Sequence, residues 1–312
     1  MEFFMLLAGL MGLWLGTEAT LRGAVAVAGR LGVSEFIVGI VVLSIGSDLP
    51  ELAIAIDAAI KNLHSGEASD VVVGSALGSD LGQIGFVLGV TALIGILTLP
   101  RKVVYQQGSV LLGSLVLLAV VGLDGHVSRL EGALLLAVYA AYLAFFLTGA
   151  IRPHSTNQGE LTSSIVLPVI YLIAGVAVIV GSAEITVASA IQVAAMFEVE
   201  QSAVAILFIG LGSSLPELSI SLGAILKGRP GLSAGNLIGS NVFDTLVPIG
   251  VAAMISGLQF DPGMLRHEMP FLFCLTLLVL IFLTRRTGIR KSEAGFILGA
   301  YISYVIVKLA YV

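Results

Sequence analysis

Charge is what this chain has least of. Asp, Glu, Lys and Arg make up 11% of its 312 residues, where a soluble domain carries about 25%. With 57% apolar residues and a mean hydropathy of +1.06, that scarcity excludes a soluble globular domain and leaves a polytopic membrane protein. Cysteine is almost missing as well: Cys274 stands alone, so no internal disulfide can form and the redox compartment stays open. The amino terminus lacks a basic leader and a small-residue cleavage pattern, so the apolar run from Phe3 reads as a first span rather than a cleavable signal. Glycine, by contrast, is plentiful at 37 residues, as expected where membrane helices pack closely or break.

Spans of about 20 residues fall near 3–28, 35–62, 68–96, 104–123, 130–149, 162–194, 201–226, 232–257, 268–284 and 292–311. The fold class is therefore an all-α polytopic membrane protein of ten transmembrane helices. The second and seventh stretches are too long for one straight span. Each holds a Leu-Pro-Glu sequence near its middle, in Gly46-Ser47-Asp48-Leu49-Pro50-Glu51-Leu52 and Gly212-Ser213-Ser214-Leu215-Pro216-Glu217-Leu218. Proline removes a helical N–H and its ring collides with the carbonyl four residues back, so Pro50 and Pro216 should break helices 2 and 7 opposite Gly46 and Gly212. A carboxylate beside such a break is expensive at membrane depth. Its recurrence in corresponding halves points to the ion site of a secondary transporter.

The halves align on each other. A shift of 166 superposes Glu18 on Glu184, Thr20 on Thr186, and Gly46, Ser47, Leu49, Pro50, Glu51 and Leu52 on the Gly212 segment. A shift of 161 superposes Gly74, Gly78, Ser79 and Gly89 on Gly235, Gly239, Ser240 and Gly250. Five spans per half is an odd number, so the second copy enters the membrane inverted. The expected organisation is 1–150 as the first five-helix repeat, 151–161 as a short cytoplasmic linker and 162–312 as the second, inverted repeat. Loops after the odd-numbered spans hold 11 Lys and Arg, and the opposite side 4. The positive-inside rule then sets the linker in the cytoplasm and both termini outside.

Ser47 and Glu51, Ser213 and Glu217, Ser79 and Gln83, and Ser240 and Asp244 are each four residues apart, hence on one helical face. Four helices can thus aim a hydroxyl and a longer oxygen-bearing side chain at a common centre. Carboxylates, hydroxyls and freed carbonyls, without Cys or His, suit hard cations such as calcium or sodium. Asp48, three residues before Glu51, can share that face. Asp48, Glu51, Glu217 and Asp244 cannot all stay ionised around one calcium, so Asp48 or Asp244 should take up a proton or an additional cation.

These residues carry a resemblance. The two Leu-Pro-Glu segments, with Gly235-Asn236-Leu237-Ile238-Gly239-Ser240-Asn241-Val242-Phe243-Asp244, resemble the alpha-repeats of the sodium/calcium exchanger family within the calcium/cation antiporter superfamily. Gly16-Thr17-Glu18, running through Gly23-Ala24 to Gly32-Val33-Ser34, is similar to that family's first span and turn. The resemblance covers essentially the whole chain and is of the prokaryotic type, since the linker is too short for a regulatory loop. It implies antiport of calcium for sodium by alternating access, with ion sites at mid-membrane between spans 2, 3, 7 and 8. By that resemblance Glu51 and Glu217 are the central bridging ligands of both ions. Ser47, Ser213, Ser214, Ser79 and Ser240 would supply hydroxyls, carbonyls near Ser44 and Gly210 would complete the sphere, and spans 1 and 6 would slide past the core. Calcium and sodium are then cargo, no cofactor is implied, and the partners are these ions and the lipid bilayer rather than nucleic acid. The protein is expected to work as a monomer in the plasma membrane.

The first repeat departs from the family pattern. Asp48 stands where a small hydroxyl residue or Ala is usual, Gln83 where Asn or Asp is usual, and Asp80 replaces an Asn that the second half keeps as Asn241. These departures bear on stoichiometry and on the driving ion. Plainer roles compete: Gln83 and Asp244 as hydrogen-bonding glue between helices, and Glu18, Glu184 and Asp80 as gate or vestibule residues. Asp57 reads as a solvated vestibule residue. Proton-coupled exchange of calcium or another divalent cation is the neighbouring function. An intramembrane aspartyl protease also needs two membrane acids, but its Gly-x-Gly-Asp motif is missing, and no enzymatic activity is expected.

Overall fold

The computed structural model describes residues 2–65, 69–150, 165–196, 214–260, 262–285 and 288–310. Helix α1 (Glu2–Leu31) opens the chain and ends at Gly32, whose φ of 64° suits a residue without Cβ. The second span is built in pieces: α2 (Glu35–Val38), a π-helical turn (Gly39–Leu43), α3 (Ser44–Ser47) and α4 (Leu49–Ser65). The third joins α5 (Ser69–Leu81) to α6 (Leu88–Ile94) through a second π-helical turn, Gly82–Val87. Then follow α7 (Arg101–Val121), α8 (Arg129–Ala150), α9 (Val166–Met196), α10 (Leu215–Leu226) and α11 (Pro230–Ser256). The short α12 (Pro262–Arg266), α13 (Glu268–Leu283) and α14 (Lys291–Ala310) complete the chain. A two-residue antiparallel ladder, β1 (His126–Val127) with β2 (Leu258–Gln259), ties the α7–α8 turn to the α11–α12 turn.

Among the described residues, seven helices are long and apolar enough to cross a membrane. Glu35–Ser47 and Leu49–Leu63, bent by 44° about Asp48, make an eighth. The other two expected spans are shorter or more polar here. Of the seventh, the described part is the 12-residue α10, and α14 carries Lys291, Glu293 and Lys308. The chain is thus a helical, multi-pass membrane protein.

Helix α11 is the axis of the fold and is buried almost throughout. It packs against α2, the first π-helical turn, α4, α5, α7, α8 and α10. Glycines allow this crowding. A Cβ on Gly39 would meet Leu232 O at 2.7 Å and Asn236 N at 2.9 Å, so the broken second span crosses α11 backbone against backbone. Most apolar core residues from α4 to α8, α11, α13 and α14 form one cluster. A smaller one joins Leu13, Leu21 and Ala24 of α1 to Leu172 and Ile179 of α9 and to Ile220 and Ala224 of α10.

Helices α1 and α9 lie along each other as a pair. Gly16 and Gly23 share one face of α1, and a Cβ on Gly23 would meet Leu172 N at 2.5 Å and Pro168 O at 2.7 Å. Overpacking so close a contact costs about 1–3 kcal/mol. Gly23→Val should therefore lower the thermal unfolding midpoint of the detergent-purified protein. Gly29→Ala, whose Cβ meets nothing within 4 Å, should leave it unchanged or raise it.

Candidate functional site

Asp48, at the bend of the second span, and Ser214, just before α10, share one backbone conformation. Asp48 has φ −91° and ψ 6°, and Ser214 has φ −87° and ψ 5°, in the sparsely occupied bridge region. Their carbonyls accept from Leu52 N at 3.2 Å and Leu218 N at 2.9 Å, starting a new helix each time. Pro50 and Pro216 sit in the first turn of α4 and α10, where a missing N–H breaks no bond. The break in the second span thus falls at Asp48 rather than at Gly46, which lies inside α3. Glu51 and Glu217 occupy the first turns of the restarted helices, at the ends with positive dipole character.

The acids converge from four elements. Asp48 stands against Glu217 and within electrostatic reach of Asp244 and Glu51; Glu51 in turn senses Glu217 and Asp244. None of the four is more than 3% exposed. Among the described residues, both carboxylate oxygens of Glu51 and of Glu217, Oδ2 of Asp48 and Oδ1 of Asp244 lack a hydrogen-bond partner, as do the hydroxyls of Ser214 and Ser240. Buried carboxylate oxygens without donors are costly and rare. Hard cations suit such oxygens. No three His, Cys, Asp or Glu side chains among the described residues converge closely enough to ligate one ion by themselves. Hydroxyl or backbone oxygens would have to complete any such sphere.

A polar network on α5 and α11 closes the other side. Gln83 Nε2 donates to Asp244 Oδ2 at 2.9 Å and to Ser79 Oγ at 3.1 Å. Asn241 Nδ2 donates to Gln83 Oε1 at 2.8 Å. Gln83 was expected to offer an oxygen to the centre, yet its nitrogen is the atom that faces Asp244. The side chain is hydrogen-bonded through its amide from the second π-helical turn to α11, because an acid on α11 demands a donor. Asp80 accepts from Thr245 Oγ1 at 2.7 Å and keeps Oδ1 unpartnered. It belongs to the buried cluster, at 1% exposure, rather than to an open vestibule.

The remaining expected residues fall as follows. Ser47 Oγ donates to Ser44 O at 3.2 Å and lies 3.3 Å from Asp48 Oδ1. The Ser44 carbonyl also accepts from Asp48 N at 3.0 Å, and the Ser44 hydroxyl donates to Ile40 O. Ser213, Gly210 and Gly212 lie outside the described residues. Glu18 is ion-paired to Arg22 at 2.6 Å and to Lys227, which joins α1 to the end of α10. Glu184 is exposed and lines a groove of about 710 Å³ between α9 and the broken second span, whose wall includes Gly46 and Pro50. Asp57 pairs with Lys61 at 2.6 Å in an exposed position.

Three further residues were missed as members of the site: Thr245 against Asp80, and Asn236 donating to Ser221 Oγ at 3.1 Å. Their signal was available, since a polar side chain on the most apolar spans needs a partner on a neighbouring helix.

Comparison with known proteins agrees with this architecture. A family model described as "Sodium/calcium exchanger protein" matches residues 1–148 and 167–310. The chain is 28% identical over 309 residues to the putative antiporter CaxA of Alkalimonas amylolytica, covering 96% of this chain and 95% of that one. It is 25% identical over 347 residues to the sodium/calcium exchanger MaX1 of Methanosarcina acetivorans, covering 98% of each. Among solved structures, the sodium-calcium exchanger NCX_Mj soaked with 10 mM Na+ and zero Ca2+ superposes with a TM-score of 0.84 at 27% identity, covering 98% of both chains. With the matched family model spanning nearly its full length, the chain belongs to the sodium/calcium exchanger protein family.

Proposed function

We propose that the chain exchanges calcium for sodium across a plasma membrane by alternating access, holding both ions between Glu51 and Glu217. The observation that carries this is the pair of glutamates, in the first turns of α4 and α10, with all four carboxylate oxygens buried and without a hydrogen-bond partner among the described residues. Asp244 Oδ1, Asp48 Oδ2 and the hydroxyls of Ser47, Ser214 and Ser240 are the remaining proposed ligand atoms, with Ser213 and backbone oxygens near Ser44 and Gly210 by family resemblance. The matching conformations of Asp48 and Ser214 support two inverted halves, 1–150 and 162–312, joined by 151–161. We read both termini as outside, the protein as functional in monomeric form, and its work as transport rather than catalysis.

Proteoliposomes loaded with calcium test the reading, with sodium and pH gradients imposed separately. Uptake or release driven by sodium alone supports it; flux that follows only the proton gradient replaces it with proton-coupled exchange. In a cage of effective dielectric near 20, losing a unit charge about 4 Å from a cation forfeits roughly 4 kcal/mol. Glu51→Gln and Glu217→Gln should each nearly abolish calcium flux at normal expression. Substantial flux in both would remove the glutamates from the site. Asp48→Ser, which gives the first break the residue of the second, should keep exchange active while making its inhibition by protons shallower.

Alternating access assigns motion to α1 and α9, which pack on a smaller core with parts of the second span, α10 and α11. Gly223 of α10 faces Leu21 of α1: a Cβ there would lie 3.3 Å from Leu21 Cδ1. In a Cys274→Ser background, Leu21→Cys with Gly223→Cys should cross-link on oxidation, stop calcium flux, and recover it on reduction. Full flux in the cross-linked protein would rule out sliding of α1 past α10.

A further inference from the structure

The Gln83 amide has only one possible sense. Leu237 O can only accept, so Asn241 turns its Nδ2 toward it, at 2.8 Å. The same nitrogen reaches Gln83 Oε1 at 2.8 Å, which sends Gln83 Nε2 the other way. Nε2 then donates to Asp244 Oδ2 at 2.9 Å and to Ser79 Oγ at 3.1 Å, and both its hydrogens are used. Turned over, the amide would set Oε1 against a carboxylate oxygen and two NH2 groups against each other. Ser79, Gln83, Asn241 and Asp244 are all exposed by 2% or less, so no solvent relieves such a clash. Gln83 also lies in the π-helical turn Gly82–Val87, a local widening of the helix that is frequent at functional positions.

An ion bridging Ser79 Oγ and Asp244 Oδ2 would sit about 2.3–2.6 Å from each oxygen. The amide nitrogen already occupies that volume. We propose that Gln83 fills the cation position between Ser79 and Asp244 with its own nitrogen, so that this corner of the site holds a protein donor in place of a transported ion. Gln83 is then a specificity-determining residue that reduces the number of ions bound per cycle. It leaves Asp244 a single free oxygen, Oδ1, to turn toward the ion held with the glutamates. The inference rests on the exchange reading for what the bound ions do, but not for how many there are.

Equilibrium binding of radioactive sodium to the detergent-purified chain counts ions without any transport step. Gln83→Ser vacates the nitrogen's position, adds no charge and leaves a hydroxyl. It should bind an additional sodium per chain relative to wild type, and the double variant Gln83→Ser with Asp244→Asn should lose that ion again. Loss of interhelical glue alone would lower thermal stability without adding an ion. Equal sodium counts in wild type and Gln83→Ser would overturn the proposal. If Gln83→Ser does not fold, Gln83→Asn, which withdraws the amide by one methylene, is read in the same way. Failure of the wild type to exchange calcium for sodium would count against the exchange reading and leave this count standing as its own result.

Discussion

Carboxylates buried away from water and donors, in the first turns of α4 and α10, are the constraint on which the rest of this structure depends. Glu51 and Glu217 bury four oxygens that nothing in the described protein satisfies. In an apolar surround such groups are tolerated where a proton or a cation takes the place of the missing donors. The breaks at Asp48 and Ser214 bring the acids to that depth. They also turn helix amino-terminal ends toward the acids, so that part of the desolvation is offset by the backbone itself.

Holding such a centre together requires rigid, close packing around it. Helix α11 supplies this, crossing the second span at Gly39 and Gly235 with backbone in contact. Its own polar residues, Asn241, Asp244 and Thr245, are each bonded to α5 or to the second π-helical turn. The α1–α9 pair meets along a glycine-lined contact and packs on a smaller core that also takes in Val38 and Leu43 of the second span, Ile220 and Ala224 of α10 and Leu232 of α11. Ion pairs at its rim, Glu18 with Lys227 and, on α2, Glu35 with Arg229, lie at partly exposed positions. Pairs of that kind contribute about 0–1 kcal/mol, weak enough to be exchanged during a conformational cycle.

Asp48 and Ser214 share a backbone conformation but not a charge. In the sequence alignment Asp48 matches Ser214 and Asp80 matches Asn241, so 1–150 carries two acids where 162–312 has none at the matching positions. The structure answers one of them directly, by bonding Asp80 to Thr245. Gln83 balances in the other direction, since its amide supplies two donors where the second half has the acid Asp244. Local composition thus differs between halves while the set of interhelical bonds remains nearly closed. Among the carboxylates of the cluster, the oxygens without a described partner are both of Glu51, both of Glu217 and one each of Asp48, Asp80 and Asp244.

Much of this was legible in residue order. Hydropathy gave the membrane class and most helices to within a few residues, because every backbone group in lipid must be bonded within its own segment. The repeat of Leu-Pro-Glu located both glutamates, since proline and an acid are each expensive at that depth. Spacing of four put Ser79 and Gln83 on one face. Spacing could not say which atom of the Gln83 amide points inward, because that depends on Leu237 and Asn241 across the helix contact. The same holds for Thr245, whose role exists only when α5 and α11 meet. The break at Asp48, two residues past Gly46, likewise follows from where the restarted helix finds its first hydrogen bond. Sequence by itself determined which groups must be satisfied, and tertiary packing decided which partner satisfies each, because the donors come from helices more than a hundred residues apart in the chain.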